Sequence, residues 1–291
     1  FKFNYSIGSV ANGIKTDTFT FFLLFFYSNI IGLKPALAGL AIFIALCVDA
    51  VTDPLMGTIS DRTKSSLGRR HPYMLISFIP MSLGYIFLFA PRQDWDMSQN
   101  DLFVWMTIFT ILTRIGMTLF DIPHRAFGGE VTKNYKERTL LMSWREMVGW
   151  VAGLSNAFLG YGIFFASTPE YPQGQLNPDA WFPFAVTGAI FMILSVLYSS
   201  LSTKHEIKSL SKWSGSISLI AILDEIKIAI GNKSFLIFFF GNLFLSLAWG
   251  LANTLTLFVN TYFWEFEATQ IKYFLPIYLL ATLSAFYLTP G

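Results

Sequence analysis

The sequence predicts an all-α membrane protein, a bundle of about eight transmembrane helices. Three observations carry that expectation: composition, the length of the apolar runs, and the alternation of basic residues between them. Of 291 residues, 54% are hydrophobic, 13% are charged and 31 are Phe. Mean hydropathy is +0.52, well outside the balance of a water-soluble domain.

A span of roughly 20 apolar residues crosses a hydrocarbon core about 30 Å thick. Runs that suit it fall near 5–31, 36–60, 73–91, 102–127, 139–166, 181–203, 234–262 and 270–289. Unpaired backbone groups cannot face lipid, so each run is read as a helix. A barrel would need period-two alternation, which these runs lack.

Net charge is only +2, so the placement of charge says more than its sum. Lys and Arg collect on the cytoplasmic side of a membrane. Arg62, Lys64, Arg69 and Arg70 follow span two; Arg125, Lys133, Lys136 and Arg138 follow span four; Lys204, Lys208, Lys212, Lys227 and Lys233 follow span six. The other connections are nearly bare: Lys34, Arg92, none in 168–180, and Lys272. The expected topology is a multi-pass protein of the cell inner (plasma) membrane with its N-terminus in the cytoplasm. The single cysteine, Cys47, reads as a small core residue of span two. No cleavable signal is evident, and the chain does not begin with Met, so the natural protein is expected to start a few residues earlier.

The stretch 204–233, rich in Lys and Ser, separates six spans from two and reads as a cytoplasmic linker. Within it, 216–231 suits a helix lying on the membrane surface, or an ordinary connector helix. The expected organisation is a six-helix bundle over 1–203, the linker, and the first two helices of a second bundle over 234–291. Six spans, a basic linker and further spans is the layout of transporters built from two six-helix halves. About four more helices are therefore expected in a twelve-helix protein.

Charged side chains inside such spans cost roughly 2.5–3.5 kcal/mol each on insertion scales and ask for a reason. Asp17, Asp49, Asp53, Arg114, Asp121, Arg145 and Glu146 are of this kind. Asp49 and Asp53, four residues apart, put two carboxylates on one helix face, where they repel. A bound cation relieves that repulsion, and Pro54 frees a carbonyl near Ala50 as a further oxygen ligand. Pairing with Arg114 or Arg145 would also relieve it. On span four, Arg114, Thr118, Asp121 and Arg125 share a face. Arg125 is near enough to the membrane edge to snorkel, whereas Arg114 has no assignment from sequence. Arg145 beside Asp121 would pair a bidentate donor with an acceptor, a combination suited to vicinal hydroxyls or to an ion pair alone, with Glu146 as a local partner. On span seven, Trp249, Asn242, Asn253 and Asn260 can line a cavity, but an aromatic belt and helix contacts are the favoured reading.

These residues carry a resemblance. The motif Asp49-Ala50-Val51-Thr52-Asp53-Pro54-Leu55-Met56-Gly57, the stretch from Asp61-Arg62 to Gly68-Arg69-Arg70, Asp121-Ile122-Pro123, and Glu137-Arg138-Thr139 through Arg145 occur in linked order. The chain resembles the glycoside–pentoside–hexuronide cation symporters, the melibiose permease-like family of the major facilitator superfamily. The resemblance implies a major facilitator-type helix bundle with a site where Asp49, Asp53, Thr118 and Asp121, joined by Thr52, hold Na⁺, Li⁺ or H⁺. In that reading Asp49, Asp53 and Asp121 are the Na⁺ ligands, and Asp17, Asp121 and Arg145 touch a sugar. No other cofactor and no nucleic-acid partner are expected; the lipid bilayer and a small-molecule substrate are, and the protein is expected to be a monomer. The sequence departs from the pattern at Asn12-Gly13, where sugar-transporting members carry Lys-Asp, and at His124-Arg125, where melibiose permease has an aromatic. Sodium-coupled lysophospholipid transporters share the span-two pattern, which leaves an amphipathic substrate open.

The expected activity is cation-coupled symport by alternating access, with a sugar or glycoside as cargo and no enzymatic turnover. Membrane aspartyl proteases need a Gly-x-Gly-Asp motif, absent here, and lipid phosphotransferases need a longer Asp-rich pattern than Asp49 and Asp53 supply. A non-transporting receptor or scaffold is the remaining alternative.

Overall fold

Pro35 has no amide hydrogen to lose at a helix start and its ring fixes a helical φ, so the chain enters its first unbroken long helix there. The structure, a computed structural model, describes residues 1–132, 134–209 and 227–288. We number its long helices α1 to α8. The first, α1, is wound from short pieces, Lys2–Ser6, Ser9–Asp17, Thr18–Phe22, Leu23–Phe25 and Phe26–Ile31, of which Thr18–Phe22 and Phe26–Ile31 are π-helical. It is followed by α2 (Pro35–Arg62), α3 (His71–Leu88), α4 (Gln99–Val131), α5 (Tyr135–Phe164), α6 (Trp181–Ser202), α7 (Lys233–Phe263) and α8 (Ala268–Leu288). These match the expected spans to within a few residues, and the helices at α2 to α7 are long and apolar enough to cross a membrane. The two outermost, α1 and α8, are helical but fall outside that set. The expected surface helix lies outside the described residues, save for 227–231, which are helical.

Ser98 caps α4 by accepting from the Asp101 amide, and Asp101 Oδ2 accepts from the Ser98 amide at 3.2 Å, a capping box that starts the helix three residues before its apolar run. Asn232 caps α7 in the same way, accepting from the Ser234 and Phe235 amides.

The core is aromatic. Phe22, Phe25, Phe26, Phe89, Phe165 and Trp181 are all buried and meet ring to ring, with Phe89 stacked on Trp181 at 6.3 Å and Phe165 tilted against it at 4.7 Å. Such pairs contribute about 0.5–1.5 kcal/mol each beyond their burial. This cluster fixes α1 against α3, α5 and α6. Farther along α1, a Cβ on Gly13 would strike the backbone of Gly149, so a glycine here lets α1 and α5 approach closely. The last two helices close on the same framework: α7 packs against the Thr18–Phe22 part of α1, and α8 against α5.

The buried face of α2 is a stripe of small residues, Ala38, Ala41 and Ala45, continuing to Met56 and Ser60. Asp49 and Thr52 fall on that stripe at the intervening turns, which is why they point inward. Cys47 does not: it is exposed, contrary to the core position expected from sequence. The reason is that α2 packs chiefly on α4, so most of its circumference is uncovered.

Candidate functional site

The close packing of α2 on α4 brings their polar residues face to face. Thr118 Oγ1 donates to Asp53 Oδ1 at 2.6 Å. One turn away, Arg114 Nη1 donates to Asp49 Oδ2. Arg114, unassigned from sequence, is therefore the ion-pair partner of Asp49, with only 12% of its side chain exposed. Two oxygens at the same level, Asp49 Oδ1 and Thr52 Oγ1, are buried without a hydrogen-bond partner among the described residues. Unpaired buried oxygens are costly, and a set of carboxylate and hydroxyl oxygens is the donor chemistry that suits a hard cation.

On the α5 side of α4, Asp121 takes a different set of partners. Arg145 Nη2 donates to Asp121 Oδ1, Arg125 Nε donates to Asp121 Oδ2 at 2.6 Å, and Arg145 Nη1 donates to Glu146 Oε1 at 2.6 Å. The Arg145 side chain is 2% exposed and its Nε has no partner among the described residues. It is a spare buried donor beside a carboxylate.

Asp49, Asp53 and Asp121 do not surround one point, as the sequence reading of the Na⁺ ligands expected. Among the described residues, no three His, Cys, Asp or Glu side chains converge closely enough to ligate one ion. The reason is directional. Arg145 and Arg125 hold the Asp121 carboxylate, whereas Asp49 and Asp53 meet Arg114 and Thr118. Asp17 is apart as well. It packs against Gly153 of α5, two helical turns beyond Arg145, about 12 Å along the helix axis. Of the three expected substrate contacts, the structure joins Asp121 with Arg145 and leaves Asp17 on its own.

Sequence reasoning missed Lys15. It lies on α1 within electrostatic reach of Asp49, Asp53 and Asp121 but makes no ion pair among the described residues. Lys15 Nζ sits 5.9 Å from the Phe19 ring centroid, and Arg114 Cζ sits 5.6 Å from the same ring. The i,i+4 spacing of Lys15 and Phe19 was the available signal. Glu130 was also missed. It accepts from Arg69 Nη2 at 2.5 Å and from Arg70 Nη2, and Asp61 joins Arg70 at 2.7 Å, tying the ends of α2, α3 and α4 together. His124 takes no part in the site. Its ring is stacked between Tyr5 at 4.1 Å and Phe120 at 4.8 Å, so it occupies an aromatic's position toward α1.

A cavity of about 640 Å³ opens between α1, α5, α7 and α8. Trp249, Asn253 and Asn260 line it, against the favoured sequence reading of span seven, while Asn242 bonds the Phe238 carbonyl of its own helix at 3.0 Å. Isolated from neighbours, span seven gave no sign of which face α1 and α8 would enclose.

Asp49→Asn removes the partner of a buried guanidinium. Breaking such a pair costs on the order of 3–5 kcal/mol, and the purified protein is expected to melt at a clearly lower temperature. Adding Arg114→Gln is expected to restore most of the loss, since no unpaired charge then remains. A double variant no more stable than the single one contradicts the pairing.

Helices of membrane-spanning length around buried ion pairs define a polytopic membrane protein with an internal polar site. The chain belongs to the family described as MFS/sugar transport protein, whose profile matches residues 4–291. It is 32% identical over 211 residues to the uncharacterized symporter sll1374 of Synechocystis sp. strain PCC 6803, covering 70% of this chain and 37% of that protein. It is 24% identical over 285 residues to the isoprimeverose transporter of Lactiplantibacillus pentosus, covering 97% of this chain and 57% of that protein. A third relative, the sodium-dependent lysophosphatidylcholine symporter 1-A of Danio rerio, is 30% identical over 174 residues, 58% of this chain and 31% of that protein. The chain thus spans between about a third and somewhat more than half of these relatives' lengths.

Proposed function

We propose that the full-length protein is a secondary active transporter that carries a sugar or glycoside together with Na⁺ or H⁺. The observation that carries this reading is the facing of Asp49, Thr52 and Asp53 on α2 by Thr118 on α4, with two buried oxygens left unpaired. In this reading the ion sits among those four residues. Arg114 is then its built-in competitor for Asp49, because a guanidinium and a cation cannot both neutralise the same oxygen. Asp121 and Arg145 read the substrate: the carboxylate accepts from a sugar hydroxyl and the spare Nε of Arg145 donates to its neighbour.

Ion binding displaces Arg114 from Asp49 and, through Asp121 on α4, sets the position of Arg145. Each ligand therefore raises the affinity for the other, as any coupling free energy must. Rocking of one helix bundle against the other then exchanges inward and outward openings. In this reading the protein is an inner-membrane monomer with its N-terminus in the cytoplasm. In support, Phe1, Lys2 and Phe3 lie beside Thr132, Glu137 and Glu206, at the same end as the basic connections.

A second reading, an amphipathic cargo such as a lysophospholipid, is favoured by one observation: the walls of the large cavity are predominantly aromatic and aliphatic. Uptake of a sugar panel and of lysolipids by the full-length protein, with Na⁺ or with choline as the salt, tests both. Na⁺-stimulated uptake of a glycoside is the expected result. Lysolipid uptake alone would move the cargo to the second reading, and a flat response across the whole panel from folded protein would favour a receptor.

A further inference from the structure

We infer that the cavity between α1, α5, α7 and α8 binds an organic cation, a substituted ammonium group carried on an apolar body, with Asp17 as its counter-ion. The site is distinct from the Asp49–Asp53 pair and stands whether or not that pair holds a coupling ion.

The argument starts from the cost of the carboxyl. Asp17 is 6% exposed and makes no hydrogen bond or ion pair among the described residues; its Oδ2 is wholly buried. It packs on the backbone of Gly153, where any side chain would collide with Oδ2. An isolated carboxylate in an apolar, membrane-embedded setting is strongly unfavourable unless it takes up a proton or a positive partner reaches it. Among the described residues no Lys or Arg does so: Lys15, two residues away on α1, is directed to the Phe19 ring and the α2–α4 carboxylates instead.

What Asp17 does line is the cavity, whose walls also include Phe22, Trp150, Tyr161 and Trp249. Aromatic faces carry negative potential and attract cations that are poorly hydrated, above all substituted ammonium groups. A lone carboxylate in an aromatic enclosure is complementary to such a group and is poorly matched to an anion. The cavity volume of about 640 Å³ is also in the range of sites for small organic ligands.

The test is a binding measurement on the full-length protein in lipid nanodiscs, by calorimetry and by quenching of tryptophan emission. The probes are benzyltrimethylammonium and neopentylbenzene, its neutral carbon isostere. The wild-type protein is expected to bind the ammonium about tenfold or more tightly than the isostere. Asp17→Asn is expected to bring that ratio to about one while leaving the affinity for the neutral probe unchanged. Trp249→Leu, which keeps the carboxylate and removes one aromatic wall, is expected to weaken the ammonium several-fold and serves if Asp17→Asn does not fold. Asp53→Asn is expected to leave the ratio as it is, which separates this site from the ion-coupling reading. Equal binding of the two probes by the wild type, or a preference that survives both cavity variants, overturns the inference.

Discussion

Arg145→Ala is expected to reduce uptake by the full-length protein about 100-fold or more. The guanidinium is 2% exposed and holds Asp121 on α4 and Glu146 on its own helix. Its removal leaves Asp121 with Arg125 alone, whose side chain is half exposed. Breaking a buried pair of this kind costs on the order of 3–5 kcal/mol, which converts to a factor of at least about 100. Part of that can appear as lost stability, so a melting curve is measured beside uptake. Arg145→Lys separates charge from geometry: a point charge cannot contact Asp121 and Glu146 with the planar fork of a guanidinium. It is expected to retain the fold and recover only a minor fraction of the activity. Full activity in Arg145→Lys would show that the fork geometry plays no part.

Asp53→Asn gives the second large effect, on coupling rather than on stability. Thr118 can still donate to the amide oxygen of an Asn, so the α2–α4 contact survives. The negative charge that would hold the ion does not. The ratio of uptake with and without Na⁺ is expected to fall to about one, while substrate binding without the ion persists, as thermodynamic coupling requires when one ligand is lost. A variant whose Na⁺ dependence matches the wild type would remove Asp53 from the ion site. The contrast with Asp49→Asn is diagnostic: that change orphans Arg114 and destabilises, whereas this one leaves no charge unpaired.

Much of the architecture was legible because the membrane makes a simple demand on sequence. Every backbone polar group must be satisfied within its own helix, so run length alone located α2 to α7 to within a few residues. Spacing also put Asp49 and Asp53 on one helix face, and both meet side chains of α4. What periodicity cannot supply is azimuth relative to other helices. Asp121 was grouped with Asp49 and Asp53 because the family resemblance implies one cation site for all three. The structure instead gives Asp121 to Arg145, a residue 24 positions away. Sequence offered Arg114 and Arg145 alike as partners for the span-two carboxylates and could not choose, because the Asp49 partner of Arg114 is on another helix, 65 positions back. Cys47 misled for a related reason: small size suits a helix interface, but the uncovered side of α2 accepts small residues equally well. The two π-helical pieces of α1 left no mark in the hydropathy pattern, because a single added residue per turn shifts the phase without changing composition.

Lys15 and Asp17 stand two residues apart on α1, on opposite flanks of the same rod, one toward the α2–α4 carboxylates and the other toward the aromatic cavity. The width of that rod, about 10 Å with its side chains, keeps the two in separate surroundings. The helix is therefore a partition: it offers a positive group to the acidic side and a negative one to the aromatic side.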